Sequence, residues 1–106
     1  MIRPFLSQYN VQICHTGTEA LTMLDTLRPD ILILDLCLPV IDGLSVLRQI
    51  HYKPPVILAL TNLLTDNVLR DAAAVGVQDV LLIPCTLQYI LTHLDALIEK
   101  APSPEA

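Results

Sequence analysis

The stretch ILILDLCLPVIDG, residues Ile31–Gly43, determines the fold of this 106-residue chain. Its first four residues, 31–34, are all apolar β-formers, which predicts a strand buried on both faces in the middle of a parallel sheet. Asp35 ends that strand. Strand carboxyl ends face the ligand crevice of open α/β sheets, so Asp35 is the first candidate for a functional residue. The alternative is that Asp35 only ends the strand and caps the following turn.

Length and composition indicate one soluble domain. Apolar residues make up 53% of the chain, which is enough material for a single core. The apolar runs are much shorter than the ~20 residues that a membrane helix needs, and Met1-Ile2-Arg3-Pro4 does not begin a secretory signal. The three cysteines include no Cys-x-x-Cys pair, so reduced, buried thiols and a cytoplasmic location are expected.

The charge balance disfavours binding to nucleic acid. Six Lys and Arg against eleven Asp and Glu give a net charge of −5, and no basic cluster is present. Phosphate neutralisation supplies most non-specific affinity for nucleic acids. Direct DNA or RNA binding by this domain is therefore not expected.

Strand and helix patterns alternate along the chain. Strands are predicted at 11–14, 31–34, 56–60 and 80–83. The first ten residues resemble the end of a helix, and the helices that follow the strands are predicted to begin near Thr16 or Thr18, at Leu44, after Thr65 and after Thr86. In the last helix, Leu87 is assigned to the apolar face and His93 to the polar face. The three histidines, His15, His51 and His93, are all expected at the surface.

Alternation of this kind predicts a parallel sheet with helices on both faces. The carboxyl ends of neighbouring parallel strands lie side by side. Asp35, Thr61 and the turn at Pro84-Cys85 are therefore expected to meet at one edge of the sheet. Residues 101–106, with two prolines, are expected to be a tail or the start of a linker.

At these residues the chain resembles the receiver domains of two-component response regulators. The resemblance covers Met1 to about Lys100 as one receiver-like domain, and it implies a flavodoxin-like, doubly wound parallel sheet whose first strand is missing here. The matching positions are Pro29-Asp30, Asp35, Pro39, Asp42-Gly43, Thr61, Ala73, Gly76 and Pro84.

The resemblance also implies a chemistry. Asp35 is the phosphoacceptor, which takes a phosphoryl group from a histidine kinase or phosphotransfer protein, and Thr61 is the switch residue. Mg²⁺ is the implied cofactor, with the Asp35 carboxylate and the Cys37 backbone carbonyl as ligands. Similar domains form homodimers through their last two helices. The loop residues implied near the phosphorylation site are Cys37, Pro39, Asp42, Gly43, Asn62 and Pro84.

Several positions depart from the family pattern. The family's first strand ends in an acidic pair that binds the metal, and no acidic residue precedes Glu19 here. Ile83 precedes Pro84 where the family has lysine, Val80 replaces an aromatic residue, and Asn62 replaces a small one. Losing the lysine removes a contact worth roughly 1.5 to 3 kcal/mol. Without the acidic pair, Asp35 is the sole carboxylate at the site, so Mg²⁺ is expected to bind poorly.

Two functions remain open. The first is a receiver that is phosphorylated on Asp35 within a phosphorelay. The second is a degenerate receiver that binds proteins regardless of phosphate, and the resemblance allows it to be cut from a DNA-binding transcriptional regulator. An aspartate-nucleophile phosphatase would need a second acid where Cys37 stands, so an enzyme is not expected.

The missing first strand leads to a further expectation about the sheet. It would leave a gap two strand spacings wide in the middle of the sheet. We expect either the 11–14 strand to move in beside the 31–34 strand, or a partner chain to fill the gap.

Overall fold

A computed structural model describes residues 16–37 and 42–100. Within these ranges the chain forms four helices and three strands. No helix in the described part is long and apolar enough to cross a bilayer. The elements in chain order are α1 (Gly17–Leu27), β1 (Ile31–Asp35), α2 (Gly43–Gln49), β2 (Val56–Thr61), α3 (Asp66–Ala74), β3 (Asp79–Leu82) and α4 (Leu87–Lys100).

The three strands form a parallel sheet in the order β1-β2-β3. Asp35 pairs with Leu60, and Thr61 pairs with Leu82. Strand β2 lies in the middle, and all of its residues except Leu60 are buried. Its continuous apolar sequence thus predicted its central place correctly, because both of its faces are covered.

Helices cover both faces of the sheet, which confirms the doubly wound, flavodoxin-like class. Ile57 and Leu58 are completely buried and belong to opposite clusters, since successive strand residues point to opposite faces. Burying one such side chain contributes about 1.5 to 3 kcal/mol. The first cluster joins α1, α2 and α3 to the sheet through Ala20, Leu34, Val46, Leu47, Ile57, Ala59 and Ala72. The second joins α4 through Val56, Leu58, Leu81, Leu91 and Leu94.

The ends of the helices follow their local sequences. The Thr16 hydroxyl caps α1 by accepting the Glu19 N–H at 3.1 Å, and the Thr65 hydroxyl caps α3. Helix α3 ends in a Schellman motif, in which Gly76 adopts a φ of +94° and Val77 donates to the Ala72 carbonyl. The sequence predicted Gly76 at this left-handed position.

The structure corrects the prediction for β1. Ile33 is 43% exposed, so this strand is not buried on both faces. Within the described residues β1 pairs with β2 alone. An apolar run shows that a strand can be buried, but only its neighbours decide whether both faces are. The predicted strand at 11–14, and with it the expected filling of the gap, lies outside the described residues.

Helix α4 and β3 also differ from expectation. Leu87, assigned to the apolar face, is 62% exposed, because it is the first residue of α4 and lies outside the described core clusters. His93, assigned to the polar face, is partly buried, with its Nδ1 2.6 Å from the Asp79 Oδ2. Strand β3 begins at Asp79 and ends at Leu82, one residue earlier than predicted. His51 is exposed as predicted, and His15 lies outside the described residues.

Candidate functional site

The candidate residues Asp35 and Thr61 end β1 and β2, and Ile83 follows β3, so they lie at the carboxyl ends of the three strands. Hydrogen bonds continue past the strand ends: Leu36 donates to the Leu60 carbonyl at 2.8 Å, and Ile83 donates to the Thr61 carbonyl at 2.8 Å. These bonds hold the loops after β1, β2 and β3 beside one another. The expectation that the ends of the three strands lie side by side is confirmed.

Asp35 is partly buried at the end of β1. Its Oδ1 accepts the backbone N–H of Cys37 at 2.7 Å, which forms an Asx turn. Cys37 is exposed, so the prediction that the thiols are buried is wrong for this residue. A residue directly after a strand end lies in a surface loop, outside the packed core.

Thr61 is buried, with 3% of its surface exposed. Its hydroxyl oxygen accepts the Leu63 N–H and donates to the Leu63 carbonyl, both at 3.2 Å. The loop after β2 therefore satisfies this hydroxyl, and Asp35 does not contact it in the described hydrogen bonds. Asn62, between these two residues, is exposed, and its Oδ1 accepts the Cys37 thiol at 3.2 Å.

Asp42 and Gly43 begin α2 beside Asp35. The Asp42 carboxylate caps the helix by accepting the Ser45 N–H at 2.9 Å and the Ser45 hydroxyl at 3.2 Å. The Ser45 N–H is the main reason that the pKa of Asp42 lies below its ordinary value, and the Arg48 charge lowers it further. Gly43 is buried, and its N–H donates to the Leu36 carbonyl at 3.1 Å.

The described residues do not form a Mg²⁺ site by themselves. Mg²⁺ needs octahedral oxygen ligands and usually carboxylates. Asp35 is the one carboxylate at the end of β1, and the Asp42 carboxylate is occupied by the cap of α2. In residues 16–37 and 42–100 no three His, Cys, Asp or Glu side chains lie close enough to share a metal ion. The Cys37 carbonyl would add only one neutral oxygen.

Ile83 and Pro84 complete the site after β3. Ile83 is partly buried and puts an apolar side chain where the family has its lysine. Lys53 does not replace that lysine, because it precedes β2 at the opposite end of the sheet and lies against Gly76. None of the ion pairs within the described ranges includes Asp35. Pro39 lies outside the described residues.

Sequence reasoning did not predict the contact between Cys37 and Asn62. The two residues are 25 positions apart, and neither belongs to a periodic pattern. The only available signal was the expected meeting of the loops that follow β1 and β2. A side-chain contact between such loops depends on their tertiary arrangement.

Comparison with known proteins identifies the family. Residues 1–95 match the response regulator receiver domain. The chain is 34% identical over 100 residues to the response regulator MprA of Mycobacterium bovis, covering 92% of the chain and 44% of that protein. It is 30% identical over 97 residues to the transcriptional regulatory protein TrcR of Mycobacterium tuberculosis, covering 88% of the chain and 37% of that protein. The chain thus spans about two fifths of the length of these relatives.

Solved structures agree with this assignment. The chemotaxis protein CheY4 of Vibrio cholerae superposes with a TM-score of 0.79 at 27% identity, covering 88% of this chain and 81% of that one. Receiver domains of this family are signalling modules that interact with histidine kinases or phosphotransfer proteins and generally bind Mg²⁺ at the phosphorylation site. With its parallel sheet, its match to the family over residues 1–95 and its relatives, this chain belongs to the response regulator receiver domain family of two-component signalling.

Proposed function

We propose that this chain is a degenerate receiver domain, which signals through protein contacts and accepts a phosphoryl group on Asp35 only weakly. The observation that carries the proposal is Ile83. Its backbone N–H is bonded to the Thr61 carbonyl, so its position belongs to the crevice, yet its side chain is apolar. A phosphoryl group on Asp35 would lack the ammonium that offsets its charge in the family.

The polar groups of the site support the same proposal. The Asp35 carboxylate accepts the Cys37 N–H, and the Thr61 hydroxyl bonds to Leu63. Each group therefore already has a hydrogen bond within its own loop. Binding a phosphoryl group would require at least the Thr61 turn to open before its hydroxyl could donate to the new oxygen.

The test is a phosphorylation assay on the intact chain. The protein is incubated with Mg²⁺ and acetyl phosphate, and adduct formation is followed by intact mass, next to a receiver that has the lysine. We expect a much slower rate for this chain and none for Asp35→Asn. A rate equal to that of the ordinary receiver, abolished by Asp35→Asn, would contradict the degenerate function.

That outcome would support the second candidate function, in which Asp35 is a phosphoacceptor that receives its phosphoryl group from a histidine kinase. The specific observation in its favour is the position of Asp35. Its carboxylate ends β1, remains partly exposed and lies one strand away from the hydroxyl-bearing end of β2. This is the geometry in which a carboxylate oxygen could attack phosphorus while the donor's leaving group departs.

The proposed interaction surface lies at the edge of the sheet formed by β3 and α4. A shallow groove there is lined by Leu64, Leu82, Cys85, Thr86 and Tyr89. Leu82 and Tyr89 are about half exposed, and Leu87, in the first turn of α4, is 62% exposed. Clustered exposed apolar side chains mark interaction sites. We propose a second copy of the chain as the partner, in line with the dimer expected through the last two helices.

Sedimentation of the intact chain tests this surface. We expect a concentration-dependent dimer that Leu87→Asp disrupts, while Leu27→Asp, which changes an exposed leucine of α1, leaves it intact. A monomer at all concentrations would contradict the homodimer. An effector domain in a longer parent protein and a cytoplasmic location remain proposals, as does the absence of direct contact with nucleic acid.

A further inference from the structure

We propose that a bridge between Cys37 and Asn62 ties the loops after β1 and β2 together and makes Cys37 a positioning residue of the site. The Cys37 thiol donates to the Asn62 Oδ1 at 3.2 Å. It is a side-chain contact between the two loops that flank the crevice, and it does not belong to the regular sheet. The proposal rests on the proposed roles of Asp35 and Thr61, but its test measures the contact between Cys37 and Asn62 without any phosphorylation step.

The bridge joins two local turns. On one side, the Cys37 backbone N–H holds the Asp35 Oδ1 at 2.7 Å. On the other side, Asn62 lies between Thr61 and Leu63, and both backbone groups of Leu63 bond to the Thr61 hydroxyl at 3.2 Å. Each turn alone fixes one polar group. The contact between the Cys37 and Asn62 side chains connects the turn of the carboxylate with the turn of the hydroxyl.

This connection has a direct consequence for regulation. Thr61 can donate to a phosphoryl oxygen only if its hydroxyl hydrogen leaves the Leu63 carbonyl, and a shift of the turn from Thr61 to Leu63 that accompanies this would displace Asn62 as well. The Cys37 thiol holds Asn62 and so opposes the movement. The bridge therefore favours the present hydrogen bonds of Asp35 and Thr61 within their own loops. It opposes phosphorylation in addition to the replacement of the family lysine by Ile83.

The expected size of the effect is modest. A thiol is a weak hydrogen-bond donor, and both side chains are exposed to water. A contact of this kind changes an equilibrium or a rate by about two- to tenfold. A rate change of this size can be measured by comparing the alkylation rates of two thiols in the same molecule.

The first experiment measures alkylation of Cys37 by iodoacetamide on the intact chain, with peptide mass spectrometry to resolve each cysteine. We expect Asn62→Ala to accelerate Cys37 alkylation by about two- to tenfold, because the thiol loses its acceptor. Cys85 is the internal control, since its environment lies after β3 and does not include Asn62. Asn67→Ala, an exposed asparagine in α3, is the matched control variant and should leave both rates unchanged.

The second experiment tests positioning by NMR. Cys37→Ala should shift the backbone amide resonance of Leu63, although these residues are not bonded to each other. Cys37→Ser should restore much of the original shift, because a serine hydroxyl can donate to Asn62. If Cys37 only filled space in its loop, Cys37→Ser would not restore the Leu63 resonance more than Cys37→Ala does.

Three results would overturn the bridge: an unchanged or slower Cys37 rate in Asn62→Ala, equal acceleration of Cys37 and Cys85, or no shift of Leu63 in Cys37→Ala. None of these measurements depends on phosphorylation. A chain that is phosphorylated as fast as an ordinary receiver would contradict the degenerate function. The alkylation and NMR results would still show whether Cys37 and Asn62 connect the two loops.

Discussion

Gly43 lies directly against the backbone of Leu36. A Cβ placed on Gly43 would be 2.7 Å from the Leu36 Cα and 2.8 Å from the Asp35 carbonyl oxygen. Helix α2 therefore begins too close to the end of β1 to leave room for a side chain at Gly43. This explains in physical terms why a glycine follows Asp42 near the candidate phosphoacceptor.

The first prediction follows from this contact. Gly43→Ala should lower the free energy of unfolding by about 1 to 3 kcal/mol, because the new methyl group meets backbone atoms that cannot rotate away. Urea unfolding measures the change. Asn67→Ala, at an exposed helical position, should change stability by less than about 0.5 kcal/mol. Equal stability of Gly43→Ala and the parent chain would show that α2 can move away from Leu36 without cost.

The second prediction concerns the cap of α2. Asp42→Ala should cost about 1 kcal/mol at neutral pH, because the Ser45 N–H loses its acceptor. The folded state lowers the pKa of Asp42, so its charged form contributes stability above the unfolded pKa, and that contribution is lost as the pH falls through the lower, folded value. The difference between parent and variant should therefore shrink once the pH falls below the ordinary pKa of an aspartate and approaches the lower pKa of the folded state.

Asp42→Asn is the control for this pH effect. Its amide oxygen can still accept the Ser45 N–H, so most of the capping energy should remain. The side chain no longer titrates, and the pH-dependent part should disappear. Denaturant unfolding of all three proteins at neutral and acidic pH gives the comparison, and an Asp42→Ala difference that grows on acidification would contradict the assignment.

The third prediction concerns a variant that restores the lysine which the family has at the position of Ile83. Ile83→Lys should increase the rate of Asp35 phosphorylation by acetyl phosphate, by roughly 10- to 100-fold if the ammonium reaches the phosphoryl group. Leu82→Lys adds the same charge one residue earlier, at a position that is 49% exposed. Intact mass against time measures each rate. Equal rates for the two variants would mean that net charge alone, and not the position of the lysine, controls the reaction.

The fourth prediction separates conformation from packing at Gly76. Its φ of +94° disfavours any residue with a Cβ, and a Cβ there would also lie 2.5 Å from the Lys53 Nζ. Gly76→Ala should cost about 1 to 3 kcal/mol. The Lys53 side chain is flexible and can move, so Lys53→Ala should recover little of that loss. Full recovery of stability in the double variant would instead assign the cost to the contact with Lys53.

Much of the fold was predictable because it depends on local patterns. The apolar run at 56–60 predicted the central strand, Thr65 predicted the start of α3, and Gly76 predicted its end. Such features arise from interactions among neighbouring residues. Burial was less predictable: Ile33 has the same apolar character as Ile57, but only Ile57 has both neighbouring strands and a covering helix in the described structure.

The site shows the same division. The sequence by itself determined the family, the position of Asp35 at a strand end and the replacement of the lysine by Ile83, because these depend on residue identity and order along the chain. Only the tertiary structure decided that the Asp42 carboxylate caps α2, that Leu63 holds the Thr61 hydroxyl, and that Cys37 contacts Asn62. Hydrogen bonds at a crevice are chosen by distances of a few tenths of an ångström, and folding alone brings those atoms within reach.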